Sequence, residues 1–294
     1  PGQVAQALVI APASAATIAR LAQGQADELL ACQALAFRGK AVIAPAMNPA
    51  MWSHPATQAN IATLRERGCA VVEPGCGRTA CGEEGQGRLA DLREIYLAGL
   101  RALAPQDMEG IRVMVTLGPT REHWDGLRFW TNPSTGTMGA AVAVAAWLRG
   151  ARVEAVCGPG TPWLPAGIAR HNVGSARHML EAAASVWPQC DAGVFTAAVA
   201  DFSPVHPAQG GDKKFKKSDA PDGFDVHFAP NPDILKTLAA DRRPEQKVVG
   251  FAAESQNLED SVRGKLVSKK ADMVVGNLLQ DGFGTPDNTV FVAD

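Results

Sequence analysis

"IRVMVTLGPT" (111–120) is the stretch on which the fold turns. Its apolar run stops at Gly-Pro-Thr, and an Ala-rich run, "MGAAVAVAAWLRGA" (138–151), follows after a polar, glycine-bearing connection. A short apolar run bounded by turn residues reads as a strand buried on both faces. The long Ala/Leu-rich run after it reads as the helix that crosses back over the sheet. The alternation continues through "RVEAVCGPG", helical "SARHMLEAAASVWPQC", "AGVFTAAVADF", "QKVVGFAAES", helical "LEDSVRGKLVSKK" and "ADMVVGN".

It also extends towards the N-terminus. There "ALVIAPA" (7–13) precedes "SAATIARLAQG", "KAVIAPAMN" (40–48) precedes "PATQANIATLRERG", and "CAVVEP" (69–74) comes next. The predicted class is α/β, two Rossmann-like domains with mainly parallel sheets. The two sets share no repeat, and Pro, Gln, Asp and Gly cluster in "APQDMEG" (104–110) as a linker would. The division expected is 1–107 and 108–294. Open sheets of this kind place polar groups and ligands at the carboxyl ends of the strands.

Composition narrows the function classes. Hydrophobic residues make up 46% and charged residues 20% of 294 residues, with a formal net charge of -2. That balance argues against a general nucleic-acid or membrane-surface binder. No apolar run approaches the roughly 20 residues of a membrane span, and no secretory signal is present. The six cysteines show no paired metal spacing. A reducing, cytoplasmic location is expected. The chain opens on Pro1 and ends on a strand-like "NTVFVAD", so truncation at both ends is expected as well.

Several stretches in the second half suit an anionic ligand. In "GPTREHWDGLRFWTNPSTGTMG" (118–139), Ser134, Thr135, Gly136 and Gly139 lie where a helix begins. Free backbone N–H groups there favour phosphate, and an ordinary glycine-rich helix cap fits equally well. "TAAVADF" leaves Asp201 near a strand end, where a carboxylate can hold Mg²⁺. Asp233 in "NPDIL" suits a helix N-cap as readily as a ligand site. Lys265 and Lys269, four apart, share one helix face, as a solvated face would also show. "KKFKK" (213–217) alone reads as a solvated charge run. Taken together, these residues suit a triphosphate with its metal better than any one of them does alone.

The motifs "VTLGPTRE", "TNPSTGTMG", "TAAVADF", "KKFKK", "NPDIL" and "GFAAES" stand in the order found in phosphopantothenate–cysteine ligases, which this half resembles. The resemblance implies a CTP-dependent enzyme that activates phosphopantothenate as an acyl-cytidylate. Cysteine then displaces CMP. It places CTP on Phe195, Thr196, Ala197, Asp201, Lys214, Asn231, Pro232, Asp233, Ile234, Phe251, Lys265 and Lys269. Asn132, at the predicted helix start, is placed on the acyl-cytidylate, Lys214 on the developing phosphate charge and Asp201 on Mg²⁺, with Phe215 turned inward to fix the loop. Thr137 departs from the lysine the family often carries.

In the first half, "APAMNPAMW" (44–52) ends a strand in Asn48. By itself it reads as a strand end with Met and Trp in the core. "ACGEEGQGRLAD" (80–91) places Cys81 in a glycine-rich flap, where a thiol can act as an acid towards a carbanion-like intermediate. Both stretches resemble phosphopantothenoylcysteine decarboxylases, flavin enzymes fused to the ligase in bacteria. The resemblance makes Cys81 the proton donor and Asn48 a substrate-binding residue. It places FMN on Ser14, Ala15, Ala16, Thr17 and Ala46. Ala16 stands where the family usually has Asn. The family's catalytic histidine is expected upstream of residue 1, and none of the six histidines present, His54, His123, His171, His178, His206 and His227, matches it.

The function expected is therefore a coenzyme A pathway enzyme acting on phosphopantothenate, cysteine and CTP. Homo-oligomers are expected from the same resemblance. The alternative is a non-catalytic flavoprotein regulatory subunit, which has no need of Asp201 or the lysine cluster. A dinucleotide dehydrogenase would need the glycine fingerprint and downstream acidic residue that the chain lacks.

Overall fold

The computed structural model describes residues 4–78, 82–205, 214–216, 218, 220–282 and 287–294. The chain divides into two units, Pro1–Asp107 and Met108–Asp294.

The first unit carries a parallel sheet of β1 (Ala7–Ala13), β2 (Lys40–Pro45) and β3 (Ala70–Val71), in that order. Val42, Ile43 and Ala44 of the central strand are fully buried, as expected for a strand covered on both faces. The helices are α1 (Ala15–Gln23), α2 (Leu29–Ala36), α3 (Pro49–Ser53), α4 (Pro55–Glu66) and α5 (Leu92–Leu103). The core joins Ile10 and Ile43 to Ile18, Trp52, Ile61 and Leu64. Met47 packs against that core and Met51 is exposed, so two of the three large residues near Asn48 serve packing. β4 (Gly75–Arg78) and β5 (Glu84–Arg88) form an antiparallel hairpin, so the glycine-rich flap has strand-paired stems.

The second unit holds β6 (Arg112–Leu117), β7 (Arg121–His123), β8 (Phe129–Thr131), α6 (Thr137–Leu148), β9 (Arg152–Cys157), β10 (Ala169–Asn172) and α7 (Ala176–Val186). After these come β11 (Ala192–Phe195), β12 (Phe202–Pro204), β13 (Phe228–Pro230), α8 (Ile234–Ala240), β14 (Lys247–Glu254), α9 (Leu258–Ser268), β15 (Met273–Leu278), α10 (Leu279–Gly282) and β16 (Phe291–Ala293). The sheet runs β10–β9–β6–β11–β14–β15–β16, parallel throughout except for β16 at the edge. Order reverses between β6 and β11, where Thr116 pairs with Phe195. Crossovers leave β6 and β11 in opposite directions there, which opens a crevice at their carboxyl ends. Below it, Met114, Met179, Trp187, Phe195 and Val248 form the core.

Two short antiparallel ribbons, β7–β8 and β12–β13, stand beyond the sheet. Among the described residues, no helix is long and apolar enough to cross a membrane.

α6 lies close on the strand ends because Gly139 has no side chain. A Cβ there would press into Thr196 Oγ1 and come within 2.5 Å of Leu117 Cβ. The Thr196 hydroxyl is itself held by the Thr116 carbonyl at 2.7 Å, so it cannot retreat without losing that bond. Gly139→Ala should therefore destabilise the second unit by about 1–3 kcal/mol, despite the higher helix propensity of Ala. Urea denaturation followed by tryptophan emission would show the shift in midpoint.

Candidate functional site

The crevice is built from two chain segments that leave neighbouring strands and stay paired. Thr196 N–H donates to the Thr116 carbonyl at 3.1 Å, Ala198 N–H to Gly118 at 2.9 Å and Ala200 N–H to Thr120 Oγ1 at 3.1 Å. β11 thus ends at Phe195, and Asp201 lies beyond a further extended run rather than at the strand end expected from sequence. Gly118 and Gly136 both have left-handed backbone, and a Cβ on Gly136 would lie 3.0 Å from Gly118 Cα. The turn before α6 therefore packs directly on the turn after β6. Gly136 is the N-cap of α6, whose first-turn N–H groups open beside the crevice.

The resulting cleft has a volume of about 1060 Å³. Asn132, Phe195, Ala197, Asp201, Asn231, Pro232, Asp233, Ile234, Phe251, Lys265 and Lys269 line it, together with Thr116, Pro133, Thr135 and Leu279. Most of the residues singled out in the second half are thus brought to one place. Three of them differ from expectation. Thr196 does not line the cleft, because its hydroxyl and N–H are both taken by the Thr116 carbonyl. Asn132 follows β8 directly and precedes the α6 N-cap by four residues, so it is not at a helix start. Its Nδ2 donates to the Ala198 and Val199 carbonyls, both at 3.2 Å, which leaves Oδ1 as its acceptor. Lys214 is exposed and does not line the cleft.

The charged side chains are held in place before any ligand arrives. Asp233 caps α8, accepting the Lys236 N–H at 2.9 Å, and its second oxygen pairs with Lys269. Lys265 pairs with Glu254 at the end of β14, at 2.8 Å. Asn231 donates its N–H to the Asp201 carbonyl and its Nδ2 to the Ala200 carbonyl, both at 2.8 Å. That fixes Asp201 and Asn231 side by side across the β12–β13 ribbon. Among the described residues no group of three or more His, Cys, Asp or Glu could hold a metal by itself.

"KKFKK" is anchored through its phenylalanine. Phe215 packs on Trp124 and Phe224, with ring centroids 5.0 and 4.9 Å away, and Trp124 stacks on Phe224. Phe215 N–H donates to Asp125 Oδ2 at 3.1 Å. Asp125 also accepts the N–H groups of Leu127 and Arg128 and the Arg128 guanidinium. Sequence reasoning passed over Asp125, and nothing local distinguishes it from a loop aspartate. Lys213 and Lys217 lie outside the described residues.

In the first unit, Ser14 caps α1, accepting the Thr17 N–H at 3.2 Å, with the two hydroxyls 3.0 Å apart. Ala15 and Ala16 form the first turn of the helix. Ala46 N–H donates to the Ala13 carbonyl at 3.0 Å, which sets the ends of β1 and β2 together at this helix start. Asn48 caps α3 through Oδ1 and donates Nδ2 to Glu83 at 2.7 Å. Gly87 allows the hairpin to lie on this turn. Met47 N–H donates to its carbonyl at 2.9 Å, and a Cβ at Gly87 would strike the Met47 oxygen. Cys81 lies outside the described residues.

The chain is similar to known proteins. The flavoprotein family model covers residues 1–99, and the DNA/pantothenate metabolism flavoprotein C-terminal domain covers residues 108–294. A coenzyme A biosynthesis bifunctional protein CoaBC from Bacillus subtilis is 42% identical over 99% of this chain and 72% of its own length. The chain belongs to the CoaBC family. A second relative of that name, from Vibrio parahaemolyticus, is 38% identical over 97% of this chain and 72% of its own length. Among solved structures, the C-terminal domain of a CoaBC protein is 35% identical, covering 63% of this chain and 87% of that one, with a TM-score of 0.50.

One acid dependence follows from Asp125. Burial raises its pKa. The N–H donors of Arg128, Leu127 and Phe215 and the Arg128 charge outweigh burial and hold the carboxyl down at about 2. A carboxyl depressed below its unfolded value of about 3.9 stabilises the fold above that pH and loses its contribution as pH falls towards 2. Acid unfolding of Asp125→Asn should be correspondingly flatter across this window than that of wild type, with tryptophan emission as the readout.

Proposed function

We infer that the chain belongs to a bifunctional coenzyme A biosynthesis enzyme, with a ligase in residues 108–294 and the C-terminal part of the flavin-dependent decarboxylase domain in residues 1–107. The supporting observation is the cleft at the β6–β11 reversal, which gathers Asn132, Asp201, Asn231, Asp233, Lys265 and Lys269 around one volume. Its lining fits a nucleoside triphosphate. Apolar Phe195, Ile234 and Phe251 suit a base and ribose, and the paired lysines suit phosphates.

In the ligase reaction, the carboxylate of phosphopantothenate attacks the α-phosphate of CTP and pyrophosphate leaves. The amine of cysteine then attacks the acyl carbon of the cytidylate and CMP leaves. Negative charge builds on the phosphate oxygens in the first step. Lysines already oriented by acidic partners can meet that charge with little reorganisation. Lys265 and Lys269 can exchange Glu254 and Asp233 for phosphate as the triphosphate enters. Lys214 supplies a further cation from the lysine-bearing segment 214–216, the strap. Asn132 presents Oδ1 to the acyl-cytidylate while its Nδ2 stays with the backbone. A lone carboxylate at Asp201 fits Mg²⁺, which usually takes one or two protein carboxylates and completes its shell with phosphates and water. When bound, that ion would neutralise phosphate charge.

For the decarboxylase, the donor set at the start of α1 fits a flavin phosphate, since Ser14, Ala15, Ala16 and Thr17 present an open helix N-terminus. Ala46 stands at the neighbouring strand end. FMN, when bound, supplies the oxidation that makes loss of CO₂ from phosphopantothenoylcysteine feasible. Asn48, held by Glu83, is the residue we assign to substrate, and Cys81 is the proton donor for the returning step. We take the working form to be a homo-oligomer, which analytical ultracentrifugation would test.

Purified protein supplied with phosphopantothenate, cysteine and CTP should release pyrophosphate and CMP in equal amounts, and ATP should support much less. Equal rates with the two nucleotides would overturn CTP selection. Lys214→Ala should lower ligation on the order of 10²-fold with folding nearly untouched. In the full-length, flavin-loaded protein, Cys81→Ser should release CO₂ once per flavin and then stall. Repeated turnover to phosphopantetheine, read by mass analysis, would remove Cys81 from the donor role.

A further inference from the structure

Phe215 is held at every group it has. Its N–H goes to Asp125 Oδ2 at 3.1 Å, its carbonyl accepts Arg128 Nη1 at 3.2 Å, and its ring sits against Trp124 and Phe224. The lysines on either side, Lys214 and Lys216, are exposed. Asp125 is the hub of this anchor. It is 3% exposed, yet it accepts from Leu127 N at 2.8 Å, Arg128 N at 2.5 Å, Arg128 Nη1 at 2.6 Å and Phe215 N. A buried carboxylate with four donors is locked in one orientation, and charge-assisted bonds of this kind are the strong ones.

The position of the hub in the chain matters as much as its bonds. Asp125 lies in the turn of the β7–β8 ribbon, and the ribbon ends at Thr131, one residue before Asn132 in the cleft. One rigid ribbon thus carries Asn132 at its base and the lysine strap at its turn. Among the described residues, Lys214, Phe215 and Lys216 belong to no strand.

We propose that Asp125 is a positioning residue of the ligase, acting through Phe215 to hold the lysine strap, and Lys214 with it, in register with Asn132 and the triphosphate cleft. The proposal rests on the ligase reading for its catalytic half. The anchoring half concerns only the strap and stands apart from any activity. Without the carboxylate, Phe215 keeps its ring contacts but loses the backbone bond that sets its direction. Lys214 then samples many positions, and the gain from a preoriented cation falls.

The test uses the full chain and two variants, Asp125→Asn and Phe215→Ala. The second leaves the buried carboxylate and its bonds to Leu127 and Arg128 in place, so it remains informative if the first folds poorly. Native-state trypsin digestion reads the anchor, because cleavage after Lys214 or Lys216 follows the fraction of time the strap is undocked. Both variants should be cut there about tenfold faster or more, with unchanged cleavage elsewhere. Ligation should fall at least tenfold in kcat, with KM for phosphopantothenate nearly unchanged.

Asp125→Asn combined with Lys214→Ala should be no slower than Lys214→Ala alone, since a residue that works only through another adds nothing once that other is gone. A merely structural role would give additive losses, and additivity would overturn the proposal. So would strap cleavage at the wild-type rate. A wild-type chain without CTP-dependent ligation would overturn the ligase reading and the role of Lys214, while the cleavage rates would still decide the anchor.

Discussion

The second unit depends on a pairing that continues past the end of its sheet. β6 and β11 are neighbours whose crossovers depart in opposite directions, which opens a crevice at their carboxyl ends. Unpaired N–H and carbonyl groups there would cost free energy comparable to lost hydrogen bonds. The chain resolves this by running residues 116–120 and 196–200 side by side, with Thr196 on Thr116, Ala198 on Gly118 and Ala200 on Thr120. Asn132 then takes the Ala198 and Val199 carbonyls, and Asn231 takes Ala200. The floor of the cleft is therefore a set of satisfied polar groups. Its geometry is settled before a ligand enters.

The charges around that floor follow a related logic. Lys265 and Lys269 approach one volume from α9 and its C-cap, and two ammonium groups so placed repel each other. Glu254 and Asp233 meet them one each. Half-exposed ion pairs of this kind add little to folding stability. Their effect is orientation, since each lysine is held at the cleft and can change partners without a large movement. Asp233 adds a second constraint by capping α8, which ties the lysine pair to a fixed helix start.

In the first unit the equivalent constraint is steric. β5 can lie against the turn 46–49 only because Gly87 brings no side chain to the Met47 carbonyl. Asn48 is gripped from two sides as a result, by the α3 N–H of Ala50 and by Glu83, which directly precedes β5. A side chain so held presents one face.

The amino-acid sequence by itself determined the α/β class and the mainly parallel sheets. Continuous apolar strands such as "IRVMVTLGPT" and "KAVIAPAMN" followed by Ala-rich helices leave little else that buries both faces of a sheet. The order of its motifs also singled out Asn132, Asp201, Asp233, Lys265 and Lys269 through resemblance, while local pattern alone left each open to a cap or a solvated face. The tertiary structure alone decided how they meet. No local signal says that β11 stops at Phe195 and continues as a paired extended run, because that run is specified by hydrogen bonds to residues 80 positions away. The same holds for Asp125, whose partner Phe215 is 90 positions distant, and for the short ribbons β7–β8 and β12–β13. Their strands are three residues long, too short to show a period. Each is specified by pairing with its partner strand rather than by a local pattern.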